Sequence, residues 1–179
     1  MYVAAVFLPL IGSFVAGILA FAGGLATEEK KKKIDRGSQL VTVGAMLLAA
    51  VAATFSFIDI VVNRNISNVE LLTWVSSGTL EFSWALRGDT LALIMLLMVT
   101  WISSMIHIYS IGYMSHDRSI PRFMAYLSLF TFFMLMLVTS NNLVQLFFGW
   151  EGVGLASYLL IGFWYEKPSA CAAAIKAFV

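Results

Sequence analysis

Long uncharged runs separated by short polar segments set the pattern of this 179-residue chain. Residues 2–25 form 24 positions without Asp, Glu, Lys, Arg or His. A helix needs about 20 apolar residues to cross the hydrocarbon of a bilayer, so this run predicts a first span. It lacks the basic flank and the small-residue cleavage site of a secretion signal, and is read as retained. Residues 40–62 predict a second span, with Asp59 at the interface, and residues 90–109 a third, with Asp89 placed to cap it. From 123 to 165 the chain runs 43 residues with one charge, Glu151. As a single helix that run would be about 64 Å long, twice the bilayer core. It must turn at its polar cluster, Thr139-Ser140-Asn141-Asn142, giving spans over 121–139 and 142–165. The turn Glu166-Lys167-Pro168 then opens a sixth apolar segment, 168–179, too short to cross.

The connections differ in kind. Residues 27–39 (TEEKKKKIDRGSQ) read as a charged, solvated loop. Residues 80–86 (LEFSWAL) alternate with period two and follow 71–75 across Ser76-Ser77-Gly78, which predicts a β-hairpin. Its Trp74, Trp84 and leucines are expected to face the membrane edge or a neighbouring subunit. The fold class is therefore an all-α integral membrane protein of five transmembrane helices plus a truncated sixth, with a small extramembrane β-hairpin. A half-built apolar helix at the end of the chain reads as an N-terminal fragment of a longer protein.

Composition supports this and excludes other classes. Hydrophobic residues make up 60% and charged residues 12%, against about 45–50% and about 25% in soluble domains. Eleven basic and ten acidic side chains nearly cancel, so no field draws in nucleic acid. One cysteine, Cys171, and two histidines leave no ligand set for a zinc or iron–sulfur site. Five spans put eight basic residues on one side (Lys30 to Lys33, Arg36, Arg118, Arg122, Lys167) and two on the other (Arg64, Arg87). The positive-inside rule assigns the eight to the cytoplasm, or to the matrix of an organelle.

Three residues carry candidate chemistry. Glu151 falls about 4.5 Å from the midpoint of a helix spanning 143–165. An acid at that depth is costly when ionised and gains and loses a proton readily when supported by water or a cation. Gly149, Gly152 and Gly154 beside it allow close approach of another helix. The plainer reading is a neutral acid making one interhelical hydrogen bond. Lys176 stands about 12 Å below the cytoplasmic end of its helix and about 9 Å from Glu151 along the axis. A water chain, or snorkelling to the interface, accounts for it equally. His107, near the cytoplasmic end of the third span, is a proton shuttle or a hydrogen-bonding group at a helix end.

The segment 142–165 (NLVQLFFGWEGVGLASYLLIGFWY) resembles NADH-quinone oxidoreductase subunit L, chain 5 of mitochondrial complex I. Residues 107–114 (HIYSIGYM), 122–135 (RFMAYLSLFTFFML) and 173–179 (AAIKAFV) carry the same resemblance. It implies the antiporter-like fold, in which an acid on the fifth helix, matched by Glu151, works with a lysine on a seventh. It also implies a share of a proton path in the inner membrane, with other membrane-arm subunits, the lipid bilayer and protons as partners. No cofactor is then expected in this chain, because NADH, FMN, the iron–sulfur clusters and quinone belong to other subunits. The large subunit of a multisubunit sodium/proton antiporter looks similar here, and a non-pumping structural piece is the third alternative.

Overall fold

The computed structural model describes residues 1–63, 68–77 and 80–179. In chain order the elements are α1 (Tyr2–Gly24), α2 (Glu28–Asn63), β1 (Val69–Ser77), β2 (Leu80–Leu86), α3 (Thr90–Tyr113), α4 (Ile120–Val138), α5 (Leu143–Ile161) and α6 (Pro168–Phe178). The helices α1 to α5 are long and apolar enough to cross a membrane. Their starts follow from local chemistry. Asp89 caps α3 by accepting from Ala92 N at 2.8 Å, and Asn142 caps α5 by accepting from Gln145 N at 2.9 Å. Pro121 and Pro168 occupy the first turns of α4 and α6, where a missing N–H costs nothing.

α4 is the hub of the bundle and packs against α1, α2, α3 and α5. Small residues bring the first two helices together: Ala5, Ala16, Ala49, Ala50 and Ala53 are fully buried. A Cβ placed on Gly12 would stand 3.2 Å from Ala45 Cβ, so α1 and α2 are nearly in backbone contact there. Larger side chains fill the space toward α3 and α4, with Val6, Leu93, Leu96, Leu135 and Met136 in one buried cluster.

Two sequence expectations need correction. The charged stretch 27–39 is not a loop: α2 begins at Glu28 and runs unbroken through it. Lys, Glu, Arg and Gln are good helix formers, and Glu29 sits in the first turn, at the positive end of the helix dipole. The resulting 36-residue helix is about 54 Å long, so its first turns stand out of the roughly 30 Å hydrocarbon as a basic rod. In α5 the helix stops at Ile161 rather than at residue 165, and Gly162 is its C-cap.

The hairpin forms as expected, β1 antiparallel to β2 with Glu70 opposite Ala85 and Thr73 opposite Ser83; Gly78 and Arg64 lie outside the described residues. Its placement was not expected. Trp84 does not face the lipid edge but packs on Phe148 of α5, ring centroids 4.8 Å apart, while Trp74 meets Trp84 at a tilt of 55° and stays half exposed. Polar bonds hold the sheet to the ends of the helices. Asn142 Nδ2 donates to Ser83 O at 2.7 Å, Arg87 N donates to Thr139 O at 2.8 Å, and the Tyr2 hydroxyl donates to Arg87 O. The hairpin is a lid fixed across one end of the bundle.

The side of the membrane is directly testable. In a Cys171→Ser background, a cysteine at Lys33 reacts with an impermeant maleimide only from the cytoplasmic face, and one at Thr73 only from the opposite face. The reverse labelling pattern would invert the orientation drawn from the basic residues.

Candidate functional site

α5 turns one face to the bundle through Gln145, Gly149, Gly152 and Ala156, a spacing that keeps all four on one side of a helix. Glu151 lies on the outward side, in the company of Phe147, Leu155 and Tyr158, all exposed on this chain. Gly152 is the central residue of α5, so Glu151 is only about 1.5 Å from the helix midpoint. Among the described residues its carboxylate makes no hydrogen bond or ion pair. The acid thus projects from the middle of a span-length helix, on an apolar face that no described residue covers. An ionised carboxylate open to lipid there would cost about 2.5–3.5 kcal/mol or more. The position is stable only against water, a cation or another polar helix.

The backbone of that helix is placed by its glycines. A Cβ on Gly149 would lie 2.7 Å from both Cα and N of Leu137, and one on Gly152 would enter the ring of Phe133. α5 therefore sits directly against α4. By contrast, nothing stands within 4 Å of a Cβ on Gly154, which shares the outward side with Glu151.

Lys176 is exposed on α6. The contacts between α5 and α6 are antiparallel: Tyr158 meets Phe178 with ring centroids 5.6 Å apart, and a Cβ on Gly162 would be 3.3 Å from Ala174 Cβ. This register sets Lys176 level with residue 160, nine residues from Glu151, or about 13–14 Å along the axis. The spacing of about 9 Å expected from the sequence is too short, because it set the start of α6 level with Tyr165, whereas this register begins α6 about three residues farther out along the α5 axis. The structure does not bring the two together.

His107 is not at a helix end. It is fully buried between α3 and α4, six residues before the end of α3. Its Nδ1 lies 2.8 Å from the Ser103 carbonyl, which can only accept, so Nδ1 carries a proton. In the neutral ring Nε2 accepts from the Ser128 hydroxyl at 3.0 Å. Ser103 Oγ lies 3.3 Å from Nδ1 and 2.6 Å from Thr131 Oγ1, which donates in turn to Leu127 O at 3.0 Å. Ser128, His107, Ser103 and Thr131 form one hydrogen-bonded series joining the two helices. The i, i+4 pair Ser103/His107 and the i, i+3 pair Ser128/Thr131 are its trace in the sequence.

Gln145 was missed. It is 1% exposed, its Oε1 accepts from Ala85 N at 3.2 Å, and its Nε2 has no partner among the described residues. It anchors the hairpin to α5 two turns from Glu151. The signal available was a lone amide inside an otherwise apolar stretch, where a polar group is retained only if it bonds to something.

Two known protein families match parts of this chain. Residues 74–124 match the family described as NADH-ubiquinone oxidoreductase (complex I), chain 5 N-terminus. Residues 140–179, which hold both Glu151 and Lys176, match the family described as NADH:quinone oxidoreductase/Mrp antiporter, TM. The chain is 48% identical over 174 residues to the NADH-quinone oxidoreductase subunit L of Rickettsia conorii. That alignment covers 97% of this chain and 25% of the relative. Identity is 49% to the subunit L of Rhodobacter capsulatus, over 96% of this chain and 23% of that one. It is 47% to the NADH-ubiquinone oxidoreductase chain 5 of Arabidopsis thaliana, over 99% and 25%. The chain is similar to these subunit L and chain 5 proteins over nearly its whole length. The chain thus spans about a quarter of the length of the subunit L and chain 5 relatives it matches. The resemblance stated for 107–114, 122–135, 142–165 and 173–179 holds across nearly the whole sequence.

Proposed function

We propose that this chain is part of a proton-translocating membrane-arm subunit of NADH-quinone oxidoreductase, residing in the bacterial plasma membrane or, in an organelle, the mitochondrial inner membrane. One observation carries the proposal: within the segment matching the antiporter-type family, an acid stands at the middle of a span-length helix, on a face left open by the described residues. In this reading Glu151 is the proton-loading group. Its carboxyl takes up a proton and hands it on to water or to another polar group of the path. Lys176 is a second charged group near the cytoplasmic mouth, where its protonated amine biases the direction of transfer without pairing to Glu151. NADH, FMN, iron–sulfur clusters and quinone are bound by other subunits, which are this chain's partners together with the lipid bilayer.

His107 has a place in the same reading as an internal relay. A proton arriving at Nε2 from Ser128 is matched by release of the Nδ1 proton toward Ser103 Oγ, whose own proton passes to Thr131 Oγ1, which leaves the ring neutral and the charge one turn along α4 from Ser128. His107→Gln retains a donor and an acceptor, so it is expected to leave stability within about 1 kcal/mol of wild type and to slow proton translocation. Normal translocation in that variant would reduce His107 to a strap between helices.

A multisubunit sodium/proton antiporter is the alternative, favoured by the second family's description, which joins both kinds of protein. Affinity purification separates the two. A tag on this chain in its native membrane is expected to bring down NADH-quinone oxidoreductase activity with flavin and iron–sulfur absorbance. Recovery of a flavin-free assembly that exchanges sodium for protons would establish the alternative instead.

A further inference from the structure

A polar cavity of about 410 Å³ opens at the cytoplasmic end of α1, α2 and α4. Three cations line it, Lys31, Arg118 and Arg122, with Asp35 as the acid among them and Ser119 at the start of α4. The three against one leave it positive. Arg122 is held in place by the protein: Nη2 donates to Phe163 O at 3.1 Å, and the guanidinium lies 4.6 Å from the Phe163 ring centre and 5.1 Å from that of Tyr165. That one hydrogen bond is its only one among the described residues, and its buried Nε has no acceptor. A guanidinium carries five N–H donors in a rigid fork suited to phosphate.

A second hollow, of about 620 Å³, lies deeper along the same two helices, α1 and α4. Phe14, Gly17, Ile18 and Phe21 of α1 form one wall, and Ala125, Tyr126 and Leu129 of α4 the other. Phe14, Ile18 and Phe21 are each more than half exposed. Gly17 has nothing within 4 Å of a Cβ position, so the groove is open along its floor. Both walls continue upward into the basic cavity, through Ala20 and Gly23 on α1 and through Pro121 and Arg122 on α4. A cationic head pocket thus stands over an apolar trough, at the level where the basic rod of α2 leaves the membrane.

We propose that this pair of cavities is a binding site for one anionic phospholipid of the cytoplasmic leaflet. The phosphodiester lies between Lys31, Arg118 and Arg122, and an acyl chain lies in the groove between α1 and α4. A soluble phosphate would use the cations and leave the apolar trough empty; a zwitterionic lipid would fill the trough and bring no net charge to the cations. The anionic lipid satisfies both halves. Bound there, it clamps the cytoplasmic ends of α1 and α4, the hub helix of the bundle.

The test uses the complete membrane assembly that carries this chain, reconstituted in vesicles with trace phosphatidylglycerol bearing a diazirine on its acyl chain. Phosphatidylcholine with the same label is the reference. The phosphatidylglycerol probe is expected to label peptides covering 14–21 and 125–129 in excess over the reference. Lys31→Gln with Arg118→Gln removes two cations, neither side chain of which makes a protein hydrogen bond among the described residues, and is expected to lower that excess about five-fold per cation. Lys32→Gln with Lys33→Gln removes the same charge from the exposed flank of α2 and is expected to leave the excess nearly unchanged. Excess inorganic phosphate is expected to leave it unchanged as well. Equal labelling by both probes, an equal fall in the two double variants, or displacement by inorganic phosphate would each overturn the proposal. The last would assign the cations to a soluble anion, and an equal fall would assign the labelling to diffuse surface charge.

Discussion

Glu151→Gln, introduced into the complete assembly, is expected to leave assembly and the electron-transfer chemistry in place and to abolish most proton translocation per electron pair. The amide has nearly the size of the acid and still donates and accepts hydrogen bonds, but it cannot release a proton. Its cost to the fold is small, because on this chain the side chain projects from the outward side of α5 and bonds to no described residue. The measurement is the ratio of protons moved into vesicles to NADH oxidised. Glu151→Asp sharpens it: the shorter acid retains the titratable group and is expected to recover part of the ratio. If Glu151→Gln translocated normally, the acid would be reduced to an interhelical hydrogen-bonding group. Proposals that rest on other residues, the lipid site among them, would be untouched by that result.

The outline of the fold was legible because the bilayer imposes a coarse rule. A run of about 20 uncharged residues has few alternatives to a spanning helix, and the polar cluster ending in Asn142 marks its break by chemistry, since Asn is a good helix cap. What failed was the inference from charge to loop. Residues 27–39 carry the chain's densest charge, yet they continue α2, because charge opposes burial and not helix formation. The hairpin was legible as strands from its alternation but not in its docking. That docking is set by Gln145, Asn142 and Trp84 meeting groups far away in sequence, and no local pattern encodes such a contact.

The candidate site divides in the same way. Glu151 stood out because a single acid in a run of 43 otherwise uncharged residues is costly wherever it points. Its direction was not legible: with glycines on both sides, the sequence leaves open which face of α5 meets α4. The structure resolves this through Gly149 and Gly152, which face α4 and leave the acid outside. His107 read as a helix-end group from its place near the close of an apolar run. Its burial depends on Ser128 and Thr131, 21 and 24 positions away in the chain, arriving opposite it on α4.

Gly149→Ala is expected to be strongly damaging to the bundle. The added methyl carbon would come to 2.7 Å of both N and Cα of Leu137, and these are backbone atoms of a helix packed on four others. No side-chain rotation relieves that contact, so α5 must move away from α4, at a cost of about 3 kcal/mol or more. The movement would also pull on the hairpin, since Gln145 and Asn142 tie the start of α5 to Ala85 and Ser83, and it would tilt the helix that carries Glu151. Gly154→Ala is the control. Its methyl meets nothing within 4 Å among the described residues, and exchanging a helical glycine for alanine favours the helix by about 1 kcal/mol. Thermal unfolding in mild detergent, followed by helical circular dichroism or by loss of the folded peak in size exclusion, reads both variants. Gly149→Ala should melt well below wild type and fail to enter the assembled complex, while Gly154→Ala should melt at or above it. Equal stability of the two alanine variants would mean that α5 does not lie against α4 through Gly149, and the outward direction assigned to Glu151 would fall with it.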